Sequence, residues 1–250
     1  MKILVIGGSG YLGGLTLSAL AQHHEIRVLD LQPPVQGPWE YQQADVTDPV
    51  ALNRAVDGAE ALIYMAMGST DNDGSFKGVE SQVTAFDVTV KGMYFALDAA
   101  RSAGCMHAVY TSSMSIYDGP VEQRFFENED LVADTRTVYG LTKHLGEEVC
   151  RYAVRTWGMS VNALRLFFPV SMQSWRENDH KFPASATSSE DTARAILAAL
   201  EFRKGFEAFM ISGDLDERNM NMSKARRMLN FEPLPRPKMS AWSKVWSKIS

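Results

Sequence analysis

The chain has 250 residues, is 45% hydrophobic and 22% charged, and carries a formal charge of −5 from 25 basic and 30 acidic residues. That composition belongs to a folded protein with a sizeable core, not to a disordered chain. It lacks a basic stripe for phosphate backbones, so no nucleic-acid partner is expected, and no apolar run is long enough to cross a bilayer.

Ile3 to Ile6 is a short apolar run that ends in glycines and reads as a buried parallel strand. Tyr11 to His23 then carries apolar residues at helical spacing. Glu25 to Asp30 reads as a second strand and Tyr41 to Ala44 as a weaker third. Asp48-Pro49 opens a helix, because proline lacks the N–H that would be orphaned there, and Gly58 closes it. Ala61 to Ala66 is a fourth strand, and residues 79–103 form a long helix closed by Gly104. His107 to Ser112 is a fifth strand, residues 135–157 a helix closed by Gly158, and Ser160 to Phe168 a sixth strand.

Strands and helices alternate throughout, which predicts an α/β fold: a Rossmann-like, doubly wound parallel sheet with helices on both faces. The pattern changes after Pro169. Residues 171–189 are polar and aperiodic. A helix follows from Ser189 to Leu200, opened by a capping serine. Phe206 to Ser212 reads as a strand and Asn221 to Leu229 as a short helix, before Pro233, Pro235 and Pro237. The expected division is residues 1–168 and a small α/β lobe, 169–250, packed intimately against them.

Gly7-x-x-Gly10-x-x-Gly13 sits between the first strand and the first helix. In such a turn one glycine permits the bend, one lets backbone approach a pyrophosphate, and one lets helix and strand pack closely. The amides that open the helix then meet the negative charge. Asp30, about twenty residues on, ends the second strand, where a carboxylate accepts from both ribose hydroxyls. Its charge repels the 2′-phosphate of NADP, so NAD is the expected cofactor and NADP the lesser one. Asp45 and Val46 follow the third strand, where an adenine would lie; Asp45 has a second reading as the cap of the next helix.

The fifth strand ends in Tyr110-Thr111-Ser112-Ser113, and Tyr139-x-x-x-Lys143 lies on the following helix. Four residues apart share a helix face, so Lys143 lies beside Tyr139. A lysine cation there is expected to stabilise the phenolate and lower the tyrosine pKa. A tyrosine so tuned exchanges a proton with an alcohol or carbonyl, while a serine hydroxyl holds the same oxygen. Cys105 and Cys150 lack metal or redox spacing, so no metal and a reducing, cytoplasmic setting are expected.

These stretches, GGSGYLGG (7–14), DVTD (45–48), ALIYMA (61–66), VYTSSMSIYDG (109–119) and YGLTK (139–143), resemble the extended short-chain dehydrogenase/reductase superfamily. Within it the chain is similar to the NAD-dependent epimerase/dehydratase family. The resemblance implies Ser113 as the catalytic serine, with Ser112 as alternative, Tyr139 as proton donor or acceptor, and Lys143 as its lysine. It further implies Gly7, Gly10 and Gly13 as the pyrophosphate turn, Tyr11 and Leu12 as amide donors there, and Ala66 beside the adenosine. Two positions depart from the family pattern: Thr89 stands for an Asn in the long helix, and Phe168 for an Asn after the sixth strand.

Met114 and Ser115 occupy the places of the Asp-Glu pair with which dehydratases eliminate water, so dehydration ranks low. What remains is NAD-dependent hydride transfer on a secondary alcohol or carbonyl of a small sugar-like substrate. The alternatives are a sugar or nucleotide-sugar epimerase acting by transient oxidation, and a non-catalytic NAD-binding regulator. In the polar segment Arg176 and Lys181 are candidates for a carboxylate or phosphate, Trp175 for stacking on a sugar ring, and His180 lies among them. An exposed loop is the other reading of that segment. The resemblance implies a homodimer through the long helices.

Overall fold

The computed structural model describes residues 1–72, 75–120 and 123–236. Pro237 and the rest of the tail lie outside them. The chain order is β1 (Lys2–Ile6), α1 (Tyr11–Leu20), β2 (Glu25–Asp30), β3 (Trp39–Gln43), α2 (Pro49–Ala55) and β4 (Ala61–Tyr64). Then follow α3 (Val79–Phe86), a π-helical turn (Asp87–Gly92), α4 (Met93–Ser102), β5 (His107–Ser113), α5 (Val138–Trp157) and β6 (Ser160–Leu166). The chain continues through α6 (Met172–Glu177), α7 (Ser189–Glu201), β7 (Phe206–Ile211) and α8 (Ser223–Leu229).

Among the described residues seven strands make one sheet in the order β3-β2-β1-β4-β5-β6-β7, and each pairing between them is parallel. Parallel strands need crossovers, and the helices supply them on both faces. The strand order reverses between β1 and β4, so a crevice opens at their carboxyl ends. Alternation along β1 sends Ile3 and Val5 into the core under α1 and α7, with Leu17, Leu20, Ile196 and Leu200. Leu4 and Ile6 point the other way, into the core under α2, α4 and α5, with Leu52, Leu97 and Cys150.

The parallel sheet, helices and element order meet the expectation from sequence. β7 pairs with β6 in register, Val161 against Phe206 to Leu166 against Ile211, so the chain beyond 168 returns to the same sheet. Several ends move. The helix expected from 135 starts at Val138, because the Thr137 hydroxyl caps it by accepting from the Gly140 amide. The cap of α7 is Ser188, not Ser189. β6 stops at Leu166, two residues early, as Phe168 turns to φ 42°. The helix α6 was not legible, since six residues are too few to show a period. The long helix is continuous in outline but carries the π-helical turn within it. Among the described residues no helix is long and apolar enough to cross a membrane.

Candidate active site

The crevice is a cavity of about 650 Å³, within the range of small-molecule sites. One end is made by the glycine turn. Gly7 has φ +82°, and a Cβ there would sit 2.4 Å from the Ala66 amide nitrogen, so β1 and the end of β4 touch through bare backbone. A Cβ at Gly13 would lie 1.8 Å from the Gly8 carbonyl oxygen; its absence lets α1 seat on the turn. Gly10 caps α1 without a side chain, and the first turn holds no acidic residue. The opening amides of α1, Tyr11 and Leu12 included, therefore face the cavity end with no carboxylate competing for an anion. This geometry fits a dinucleotide pyrophosphate.

Asp30 lines the same end. Its Oδ2 accepts from the Ser9 amide at 2.9 Å and its Oδ1 from the Leu31 amide at 2.7 Å. The carboxylate is thereby fixed at the rim. Asp45 does not cap the next helix. Asp48 does, accepting from the Val50 and Ala51 amides, while Asp45 accepts from the Thr47 amide and hydroxyl and stays on the cavity wall with Val46.

The other end brings Ser113, Tyr139 and Lys143 together. Ser113 closes β5, and its Oγ accepts from the Ser115 amide at 3.1 Å. Its hydroxyl also favours the ionised form of the Tyr139 phenol. Ser112 is engaged elsewhere: its hydroxyl donates to Glu147 Oε1 at 2.7 Å. Lys143 is buried, donates from Nζ to the Thr111 carbonyl at 2.8 Å, and lies 5.8 Å from the centre of the Tyr139 ring.

The expected lowering of the Tyr139 pKa by Lys143 is not what the structure shows. Burial pushes the Tyr139 phenol up, and only the Ser113 hydroxyl pulls it back. Lys143 is itself taken from water, which brings it down to about 8. The same desolvation that weakens the lysine as a cation disfavours the phenolate beside it.

Behind these residues lies a buried charged network. Arg165 makes a two-pronged contact with Glu147, Nε to Oε1 at 2.9 Å and Nη2 to Oε2 at 2.8 Å. Its Nη1 donates to the Tyr117 hydroxyl and the Glu129 carbonyl, both at 2.7 Å. Burial raises the Glu147 carboxyl, but the Arg165 hydrogen bonds and charge outweigh it and hold it below the usual range. The pair ties α5, which carries Tyr139 and Lys143, to β6. Sequence reading missed it, although Tyr139, Lys143 and Glu147 repeat every four residues along one helix face.

The residues singled out in the lobe are not brought to the cavity. Trp175 is 3% exposed and packs with Val170 and Ala186, so it does not present a ring for stacking. Burial of an apolar indole face outweighs display of it. Arg176 and Lys181 are exposed and do not line the cavity. The His180 ring lies 6.3 Å from Phe168, which does line it. Thr89 is buried within the π-helical turn. A residue with no sequence signal, Phe76, stacks parallel on Tyr139, with ring centres 6.0 Å apart and planes 7° apart.

A sheet in this order, with its crevice at the strand reversal, defines a Rossmann-like fold of the short-chain dehydrogenase/reductase kind. The chain belongs to the NAD dependent epimerase/dehydratase family, whose model matches residues 3–189. It is 27% identical over 175 residues to a UDP-glucose 4-epimerase of Lactobacillus helveticus, covering 67% of this chain and 51% of that protein. It is 22% identical over 259 residues to an L-arabinose 1-dehydrogenase (NAD(P)(+)) of Haloferax volcanii, covering 93% and 96%. In structure it is similar to the uronate dehydrogenase of Agrobacterium tumefaciens, with a TM-score of 0.79, 21% identity and coverage of 100% and 89%. The chain spans about half the length of several curated relatives that it matches, such as 51% and 43% of two epimerases.

Proposed function

We propose that the protein is an NAD-dependent oxidoreductase acting on a secondary alcohol or carbonyl of a small sugar-like substrate. One observation carries this reading: a single cavity has the glycine turn and Asp30 at one end and Ser113, Tyr139 and Lys143 at the other. The glycine turn and α1 hold the pyrophosphate, Asp45, Val46 and Ala66 flank the adenosine, and Asp30 accepts from ribose hydroxyls. The Asp30 charge disfavours a 2′-phosphate, which selects NAD over NADP. NAD, when bound, accepts or returns the hydride.

The chain's own residues handle the proton. Ser113 donates to the substrate oxygen and orients it. Acting as the phenolate, Tyr139 would take the hydroxyl proton as the substrate carbon gives up its hydride, leaving a carbonyl and a neutral tyrosine. Lys143 opposes the charge of the transient phenolate. Residues 1–168 bind the cofactor in this reading, and the start of the lobe that follows borders the substrate entry, supported by Pro169 lining the cavity and its carbonyl accepting from the Tyr11 hydroxyl at 3.1 Å.

Mixing the protein with NAD and a sugar panel, and following absorbance of the reduced cofactor, tests the proposal. Net NADH is the expected result. An isomerised sugar without net NADH favours epimerisation by transient oxidation, the activity named for the Lactobacillus relative. Tight NAD binding without turnover, unchanged by Tyr139→Phe, favours a regulator. The exposed apolar residues Val83, Phe86, Tyr94 and Tyr152 on α3, α4 and α5 support a homodimer, which light scattering would detect. Two buried, free cysteines fit a reducing cytoplasm.

A further inference from the structure

The charged side chains lining the cavity, among the described residues, are Asp30, Asp45 and Lys143. Both carboxylates belong to the nucleoside end. Lys143 is committed to the Thr111 carbonyl beside Tyr139. Around Tyr139 the walls are hydroxyls, Ser69, Thr84 and Ser115, and apolar groups, Met67, Leu166 and Phe168. No arginine is among them. Arg236 is turned away, its guanidinium 4.9 Å from the Trp175 ring and its Nη2 donating to the Ala186 carbonyl at 2.7 Å.

A second observation points the same way. The segment before α3 is organised by Asp71, whose Oδ2 accepts from the Lys77 amide at 2.7 Å and the Gly78 amide at 2.9 Å. It places Phe76 parallel to Tyr139, with ring centres 6.0 Å apart, so an aromatic ring borders the phenol. A carboxylate or diphosphate leaving water is held best by a cation, and at this end the one cation among the described lining residues, Lys143, is already committed to the Thr111 carbonyl. Neutral hydroxyls find partners in Ser69, Thr84 and Ser115, and the C–H face of a sugar packs on Phe168 and Met67.

We infer that the substrate end takes an uncharged polyhydroxy alcohol or lactol, and that Phe168 sets this preference by walling the site with an apolar ring. The inference rests on the oxidoreductase reading above. It separates this chain from a dehydrogenase of sugar acids and from an enzyme of nucleotide sugars. Oxidation of a lactol moves hydride from its anomeric carbon to NAD and its hydroxyl proton to Tyr139, giving a lactone.

The test uses the full chain with NAD and matched probes: L-arabinose and D-galactose against D-galacturonate and D-glucuronate. Wild-type kcat/KM should favour the neutral sugars by about tenfold or more. Phe168→Arg, with folding checked by circular dichroism, should shrink that ratio by about tenfold by giving a carboxylate its partner. Equal or better use of the acids by wild type overturns the inference. So does failure to oxidise either neutral sugar by protein shown calorimetrically to bind NAD. An unchanged ratio in Phe168→Arg overturns the role of Phe168. The oxidoreductase reading itself fails in a different way, by absence of NAD binding or by Tyr139→Phe turning over as fast as wild type.

Discussion

Near Asp30 the cavity begins at a turn whose close contacts are between main-chain groups; near Phe168 it is bordered by hydroxyl and apolar side chains. Gly7 and Gly13 work by lacking atoms, and the contacts they permit are between main-chain groups. Ser69, Thr84 and Phe168 border the other end with their side chains, and they sit on a loop, on α3 and just beyond β6. The first kind of contact leaves no room for a side chain at Gly7 or Gly13. The second changes its ligand by exchanging one side chain, which is why one fold serves many substrates.

The sharpest way to break this contrast is at the junction of the two ends. Tyr139→Phe should lower NADH formation about 10²- to 10⁴-fold while leaving the calorimetric Kd for NAD within about tenfold. Glu147→Ala leaves Arg165 buried without its partner and should cost about 3–5 kcal/mol in urea unfolding. A loss well under that would show that α5 is not tied to β6 through this pair.

Lys143 gives a pH signature. Its folded pKa of about 8 lies below the ordinary 10.5, so between those values the unfolded chain binds more protons. Stability from this group therefore rises with pH across that window. Wild type should gain in Tm relative to Lys143→Met as pH rises from about 8 to 10, and a flat difference would contradict the burial. At the backbone-built end, Asp30→Asn should shift the NAD-to-NADP preference by about tenfold, read from the two dissociation constants. Smallest of all, Arg176→Ala should alter kcat/KM for any oxidised sugar by less than about twofold, since the side chain stands in solvent away from the cavity.

The same contrast governs what was legible in the amino-acid sequence. The alternating strands and helices, the glycine turn and Asp30 are local patterns, and each lies where its pattern places it. Tyr139 and Lys143 were legible because helical spacing puts them on one face. Their electrostatics were not, since burial depends on Phe76 and β5, far away in the chain. Trp175 shows the opposite error: an aromatic in a polar segment reads as displayed, but packing with Val170 and Ala186 decides the matter. The polar segment also hides the turn of α6, whose length is below one recognisable period. β7 was legible as a strand, yet its place beside β6 is a long-range pairing that no local pattern reports.

The π-helical turn at Asp87–Gly92 has a consequence for how this chain tolerates change in length. A wider turn accommodates one residue more than a regular helix would over the same rise. Each residue of a regular helix advances the face by about 100°. Removing one residue from this stretch should thus let α3 and α4 merge into an unbroken helix with both packed faces retained, whereas removing one elsewhere in either helix rotates Met93, Leu97 and Ala100 out of the core. The bulge marks the one point where the long helix absorbs a deletion without unseating the sheet.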